Sequence, residues 1–432
     1  TSPDPKRELA EEAGVSVLDG SGDPNAESLQ RLIDTTDIVI DAVLGTGASR
    51  PITEPLASLL AEFSEVAAPI VALDLPSGLN SDTGEFDPAG LPADQTLMLG
   101  YPKIGPAISG NPAVIGEASV LDIGIPSGLD SQVTTELLTP DLAASLVPDR
   151  PHDGHKGTFG STLIVAGSQE FLGAVTMATD AATRSGVGLT FVATPEPAYN
   201  QIAGNVPEAV YHSLPVSANS NTAPTEAAKT VLEIAERAAS IVIGSGMGTT
   251  SSTSEFLSIV LSQISPEKPL VLDADALNIL SKTHKWSERL TNPTVLTPHP
   301  GEMSRLLGIS TQEVQNDRVS TALTATKQFD KVVVLKGAAT LIAAPDGRIA
   351  VSPWVNSGLA KGGSGDVLAG LLGGLLAQQP ENPFEMACLA VFTHGYAAEA
   401  AKDELGETGM RSTDVIERLG FFYRDYVQND FD

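Results

Sequence analysis

Ala360-Lys361-Gly362-Gly363-Ser364-Gly365-Asp366-Val367-Leu368-Ala369-Gly370 joins a turn of small residues to an apolar helical run. Such a turn presents backbone N–H groups at a helix start. Those groups and the helix dipole favour an anion, typically a phosphate. Gly363, Ser364 and Gly365 form the candidate anion hole, with Asp366 at the same spot. A carboxylate beside an anion cradle suits phosphoryl transfer to a hydroxyl. It serves as base for the hydroxyl while the cradle stabilises the moving charge. A Gly-rich loop that only caps a helix is the alternative reading.

Working outward, strands and helices alternate, which defines an α/β fold. Upstream strands are expected at Ser161–Ala166, Ile241–Ile243, Leu270–Leu272, Thr294–Leu296 and Val332–Leu335, with a long helix over Ala174–Ser185. Each of these strands ends in a polar or Gly-rich element, and open α/β sheets bind ligands outside the carboxyl ends of their strands. The first part repeats the pattern. Asp37–Val43 reads as a strand entering Gly45-Thr46-Gly47, followed by a helix with Leu56, Leu59, Leu60 and Phe63 on one face. Pro69–Leu73 reads as a second strand, and Thr96–Leu99 and Ala118–Ile123 as two more. Pro126–His155 is rich in turn formers and separates a domain over 1–139 from one over 140–432.

A chain of 432 residues with 42% hydrophobic side chains is expected to be globular, in two or three domains. Its formal net charge of −29 repels nucleic acid and anionic membranes, which argues against both as partners. Cys388 is the sole cysteine, so no intrachain disulfide or zinc–thiolate cluster forms, and a reducing cytoplasm is expected. The apolar run around Cys388 marks it as a core residue. The longest apolar run, Val367 to Ala377, is too short to span a bilayer. The chain opens Thr1-Ser2-Pro3 with neither signal peptide nor initiator Met, so it is expected to begin inside a larger protein.

Several residues carry candidate chemistry. Gly244–Gly248 leaves room for a ligand against the backbone, or is a plain tight turn. Asp273, Asp275 and Asn278 follow a strand end; they suit water-mediated Mg²⁺ binding or helix capping, and Asp275 reads as a cap. His299 sits in a loop stiffened by Pro298, Pro300 and Gly301, which suggests a positioned side chain. Lys336 ends a strand and can reach a phosphate. The run Thr340–Ala343 beyond it suggests a hairpin that covers a nucleotide. His152 and His155 lack a third ligand nearby, so no metal site is assigned to them.

Gly157–Pro195, Gly244–Gly248, Asp273-Ala274-Asp275-Ala276-Leu277-Asn278, Leu296–Glu302, Leu335-Lys336-Gly337 and Gly362–Asp366 together closely resemble the ADP-dependent NAD(P)H-hydrate dehydratase family. The resemblance covers nearly all of residues 141–432. It implies a ribokinase-like fold, Mg²⁺, and removal of water from the S epimer of NADHX or NADPHX. ADP, or ATP in some relatives, donates phosphate to the ring hydroxyl, and the phosphate is then eliminated. By resemblance Ala174, Gly246, His299 and Asp366 contact the hydrate, with Asp366 as base. Lys336, Gly337, Ala338, Ala339, Thr340 and Gly365 match the adenine-nucleotide site. Relatives assemble as homo-oligomers.

Asp41–Gly47, Asp74–Asn80, Ala93–Thr96 and Asp122–Pro126 resemble the NAD(P)H-hydrate epimerase family, which implies a Rossmann-like first domain. By resemblance Asp41 and Ser77 help bind K⁺. Gly45, Thr46, Gly47, Ala48, Ser49, Arg50, Pro51 and Asp74 would contact the hydrate, with Asp74 as the base. That family carries an Asn-Gly-Gly-Asp-Gly turn near its start, which this sequence does not contain. The expectation is an epimerase-like domain without its N-terminal part, unable to epimerise. Two other readings stand beside the repair enzyme: a ribokinase-like kinase for a small hydroxylated compound, and a non-catalytic dinucleotide-binding module fused to the dehydratase.

Overall fold

The computed structural model describes residues 5–18, 27–47, 50–109, 111–126, 128–129, 132–217 and 222–427. It divides into two compact units, Thr1–Leu129 and Asp130–Asp432. The division falls upstream of the boundary expected at residue 140. The cause is a short strand at Thr135–Leu137 that pairs with Ile349–Val351 of the second unit.

The first unit holds β1 (Val39–Asp41), β2 (Ile70–Leu73), β3 (Gln95–Leu99) and β4 (Glu117–Leu121), all parallel and in that spatial order. Ile70, Ala72, Thr96 and Met98 are buried on one face. The helix Leu56–Phe63 buries Leu60, but Leu59, expected on the same face, is 40% exposed. The opposite face of the sheet carries Ile40, Leu73 and Leu121, all exposed. Parallel sheets are ordinarily covered on both faces; the described residues leave this one open.

The second unit is built on a ten-stranded sheet. It comprises β5 (Thr135–Leu137), β6 (Ser161–Val165), β7 (Leu189–Pro195), β8 (Ala209–Leu214), β9 (Ser240–Ile243), β10 (Leu270–Leu272), β11 (Thr294–Leu296), β12 (Val332–Leu335), β13 (Leu341–Ala343) and β14 (Ile349–Val351), in the order β5-β14-β13-β12-β11-β10-β9-β6-β7-β8. Strands β6 to β12 run parallel, and β12-β13-β14 are antiparallel. The chain moves outward through β6, β7 and β8, then returns to β9 beside β6. That reversal makes the β6/β9 crevice the topological switch point, where such sheets bind ligands.

These strands form because their residues are continuous apolar runs, as strands covered on both faces require. All of β9, β10, β11 and β12 is buried. The helix Ser364–Gln378 is buried from Val367 to Ala377 and packs with Leu172–Thr183 over the sheet. Cys388 is 3% exposed within the same core. Strand β13 pairs with β12 as the expected hairpin, but its residues are fully buried in the sheet. Only the turn at its tip is placed to meet a ligand. No helix among the described residues is long and apolar enough to cross a membrane.

Candidate functional site

The loops after the parallel strands of the second unit are stitched together at the carboxyl edge of the sheet. Gly167 N–H donates to Ser245 O at 2.8 Å, Asp273 N–H to Ile243 O at 3.1 Å, and Lys336 N–H to Pro298 O at 2.9 Å. Above them lies a cavity of about 660 Å³, lined by Asp273, His299, Glu302, Lys336, Asp366, Trp354 and His394 among others.

The helix Ser364–Gln378 enters this cavity by its N-terminus. Gly363 is its N-cap at φ 96°, a left-handed conformation that glycine tolerates, and no side chain caps the first turn. The first N–H groups of an α-helix have no intrahelical acceptor. Ser412 anchors the turn by donating its hydroxyl to Gly362 O at 2.9 Å. Lys361 donates to the carbonyls of Glu407, Thr408 and Met410, so its ammonium is committed to another helix end. The cation at the helix start is Lys336. Its Nζ lies 3.1 Å from where a Cβ on Gly365 would stand.

Lys336 is held by carboxylates. Its Nζ is 2.7 Å from Asp273 Oδ1 and 3.9 Å from Glu302 Oε2. Burial works to lower the Lys336 pKa, but Asp273 and Glu302 raise it on balance, so the ammonium stays charged. Asp273 also accepts from the Thr297 hydroxyl at 2.7 Å. Asp273 is therefore an ion-pair partner and makes no side-chain cap. Asp275, read as a cap, instead accepts from Gly248 N–H at 2.8 Å and pins the Gly-rich turn.

Asp366 lies in the first turn of the helix, where burial pushes its carboxyl up to about 6. The Asp273 charge adds to that rise, while the Ser245 hydroxyl and Lys336 oppose it. A carboxyl in that range can exchange a proton near neutral pH. His299 forms a capping box with Glu302. Its Nδ1 accepts from Gly301 N–H at 3.0 Å, and Glu302 Oε2 accepts from His299 N–H at 2.8 Å. His299 Nε2 faces Glu302 Oε1 at 3.4 Å. Burial, with the charges of Lys336 and Arg305, pulls the imidazole pKa below its usual value. Burial raises that of Glu302.

Of the residues expected to act here, His299, Lys336, Gly337, Ala338, Thr340, Ser364, Gly365 and Asp366 line the cavity. Ala339 is fully buried behind it. Ala174 and Gly246 meet one another at the switch-point crevice: a Cβ on Gly246 would stand 2.9 Å from Ala174 Cβ. Gly363 packs on Met177. Sequence reasoning assigned no role to Glu302, Ser245 or His394. The spacing His299-x-x-Glu302 is a capping-box signature and was a usable signal for Glu302.

In the first unit Asp41 and Ser77 meet at the ends of β1 and β2. Ser77 Oγ donates to Asp41 Oδ1 at 2.6 Å, and Ser77 N–H to Asp41 Oδ2 at 2.7 Å. Asp74 has φ 75°, an uncommon conformation for a non-glycine residue, and strained backbone clusters at functional sites. Its Oδ1 lies 2.6 Å from Lys103 Nζ, a partner with no sequence signal beyond its own charge. A Cβ on Gly45 would stand 3.3 Å from Asp74 Oδ2, which brings the Gly45-Thr46-Gly47 loop to the same edge. Arg50 and Pro51 continue that loop. Ala48 and Ser49 lie outside the described residues.

A largely parallel sheet with a cation and a carboxyl at one helix N-terminus suits a nucleotide-dependent enzyme of the ribokinase-like class. The solved structures it resembles agree. A ribokinase-like superfamily protein from Enterococcus faecalis superposes with a TM-score of 0.59 at 27% identity, covering 68% of this chain and 98% of that one. The ADP/ATP-dependent NAD(P)H-hydrate dehydratase from Bacillus subtilis, co-crystallised with ATP/Mg²⁺, also gives 0.59, at 32% identity over 68% of this chain and 99% of that one. Residues 162–420 match the family described as NAD(P)H-hydrate dehydratase, and residues 6–105 that described as YjeF-related protein N-terminus. The bifunctional NAD(P)H-hydrate repair enzyme of Coxiella burnetii is 37% identical over 385 residues, 89% of this chain and 75% of that protein. Its Escherichia coli counterpart is 34% identical over 417 residues, 95% of this chain and 76% of that one. The chain belongs to the NAD(P)H-hydrate dehydratase family.

Proposed function

We propose that the second unit uses ADP to dehydrate the S epimer of NADHX or NADPHX, restoring NADH or NADPH. The observation that carries this reading is the Lys336 ammonium against the first turn of helix Ser364–Gln378, with Asp366 in that same turn. ADP takes the cavity beside Lys336, Gly337, Ala338, Thr340 and Gly365, while Ala339 contributes only backbone. The hydrate lies against Ala174, Gly246 and His299. Asp366 takes the ring hydroxyl proton as that oxygen attacks the terminal phosphorus of ADP, and AMP leaves. The helix N–H groups of Gly363–Gly365 and Lys336 stabilise the charge on the moving phosphoryl group. Hydroxide is a poor leaving group and phosphate a good one. The ring nitrogen lone pair expels the phosphate, and loss of a neighbouring proton restores the dihydronicotinamide.

Mg²⁺ fits as a nucleotide-bound ion. No group of three His, Cys, Asp or Glu side chains among the described residues could hold a metal directly. Mg²⁺ ordinarily keeps waters and binds substrate phosphates with one or two carboxylates. Asp273 is committed to the Lys336 ammonium at 2.7 Å, so Glu302 and Asp366, whose charges also act on Lys336, are the carboxylates that would help hold the ion. When bound, the ion neutralises phosphate charge.

For the first unit, we read Asp74, beside Lys103 and the Gly45–Gly47 loop, as the base of an NAD(P)HX epimerase. Asp41 and Ser77 are brought together as oxygen donors and, with further ligands, would hold K⁺. Ser77 Oγ donates to Asp41 at 2.6 Å while accepting from Leu44 N–H at 3.0 Å, and both side chains keep lone pairs that can face a cation.

Incubation with S-NADHX, ADP and Mg²⁺ should restore NADH absorbance and release one phosphate per NADH. No ADP-dependent recovery in folded protein would falsify the reading, and a stable phosphate ester without NADH would mark a kinase. Supplying the R epimer tests the first unit, since recovery must then outrun spontaneous exchange.

Gly246→Ala tests the hydrate side. Gly246 has φ 63°, and the new Cβ would stand 2.7 Å from Phe171 Cβ. The strain and the displaced crevice wall should raise KM for the hydrate by about tenfold and leave KM for ADP unchanged. Steady-state kinetics with each substrate varied in turn decides it; equal rises in both constants would remove Gly246 from the hydrate side.

A further inference from the structure

The turn Lys336–Thr340 is held from behind by a cation that does not line the cavity. Arg318 opens the helix Arg318–Phe329. A positive charge there opposes the helix dipole, so the helix gains nothing from it. The guanidinium is turned into the sheet-edge turn instead. Its Nη1 donates to the carbonyls of Ala338 and of Ala339, the latter at 3.3 Å, and its Nη2 to Leu335 O at 3.2 Å. No carboxylate pairs with it among the described residues. Burial pushes its pKa down to about 10, still leaving it charged at neutral pH.

The turn needs such support. Gly337 (φ 151°) and Ala339 (φ 49°) both have positive φ, and Ala339 carries the steric cost of a side chain there. A Cβ on Gly337 would stand 2.9 Å from Arg318 Nη2, so the glycine lets the guanidinium close on the turn. In a planar trans peptide the carbonyl and the following N–H point in opposite directions. With the carbonyls of Ala338 and Ala339 drawn to Arg318, the N–H groups of Ala339 and Thr340 face away from it. The residues on either side, Ala338 and Thr340, line the cavity.

The geometry points to Arg318 as a positioning residue for the nucleoside diphosphate: it sets the shape of the Lys336–Thr340 turn and adds an unneutralised positive charge behind it, without touching the ligand. This inference rests on the nucleotide reading of the cavity. A lysine cannot replace it, because one ammonium on a flexible stem does not span three carbonyls as a planar fork does.

The test measures ADP binding by calorimetry, and both KM values and kcat, for the full chain and its Arg318→Lys and Arg318→Ala variants. Both variants should raise Kd and KM for ADP by about 10- to 100-fold, the range set by losing hydrogen bonds to a charged group. KM for the hydrate should stay within about twofold. Millimolar ethylguanidinium should restore ADP affinity to Arg318→Ala and leave the parent protein unchanged. Arg318→Lys with parental ADP affinity overturns the inference, as does a parallel rise in both KM values. Should Arg318→Ala fail to fold, Arg318→Lys alone decides. Failure of the parent protein to bind ADP removes the nucleotide reading and this inference with it, an outcome distinct from the other two.

Discussion

Asp366→Asn should lower kcat for ADP-dependent dehydration by about 10²–10⁴-fold, the range of a positioned general base, while making the protein more stable at neutral pH. Both effects have one cause. Burial raises the Asp366 pKa from 3.8 to about 6, with the Asp273 charge assisting. Between those values the native state holds a proton that the unfolded chain has released. Stability therefore falls as pH rises through that window and stays lowered above it. At pH 7 the penalty is on the order of 3 kcal/mol, because a tenfold change in proton affinity is worth about 1.36 kcal/mol. The carboxamide carries no charge and escapes it. Denaturant melts of parent and variant should diverge between pH 4 and pH 7, with the variant more stable at the higher value. The parent's kcat/KM should show an acid limb near pH 6 that the variant lacks. Turnover within about threefold of the parent would remove Asp366 as the base.

That pairing of lost activity with gained stability also shows what local sequence can and cannot convey. Strands β9 to β12 were legible because a sheet covered on both faces demands unbroken apolar runs, and Ile241–Ile243 and Val332–Leu335 are such runs. The strand at Thr135–Leu137 was not. It is three residues long, its pattern is half exposed, and its partner Ile349–Val351 lies far along the chain. The hairpin after Lys336 was legible as a hairpin; its burial follows from the ladder on both sides of β13. The site divides the same way. Strand-end residues such as Asp273, His299 and Lys336 announce themselves by following apolar runs. Their partnerships do not: Asp273 and Lys336 meet across 63 positions. Arg318, at the start of an exposed-looking helix, reads as ordinary surface charge until the turn folds over it.

The Asp273–Lys336 pair carries the other large effect. Lys336→Met should destabilise the second unit by about 3–5 kcal/mol, the cost of leaving a buried charge without its partner. The Asp273 side chain is 2% exposed, and Lys336 Nζ lies 2.7 Å from its Oδ1. The same substitution removes the ammonium from the helix N-terminus, so ADP affinity should collapse. The double variant Lys336→Met/Asp273→Asn separates the two roles. The carboxamide replacing Asp273 is neutral, and its oxygen can still accept from the Thr297 hydroxyl, which donates to Asp273 at 2.7 Å in the parent. Most of the lost stability should return, giving a coupling of about 3 kcal/mol in the double-mutant cycle. ADP affinity should not return, because no cation faces the phosphates. Urea melts and calorimetric titration on the four proteins measure both cycles. A double variant that regains ADP binding would show that Lys336 serves only to neutralise Asp273, and the anion site would then rest on the helix N-terminus alone.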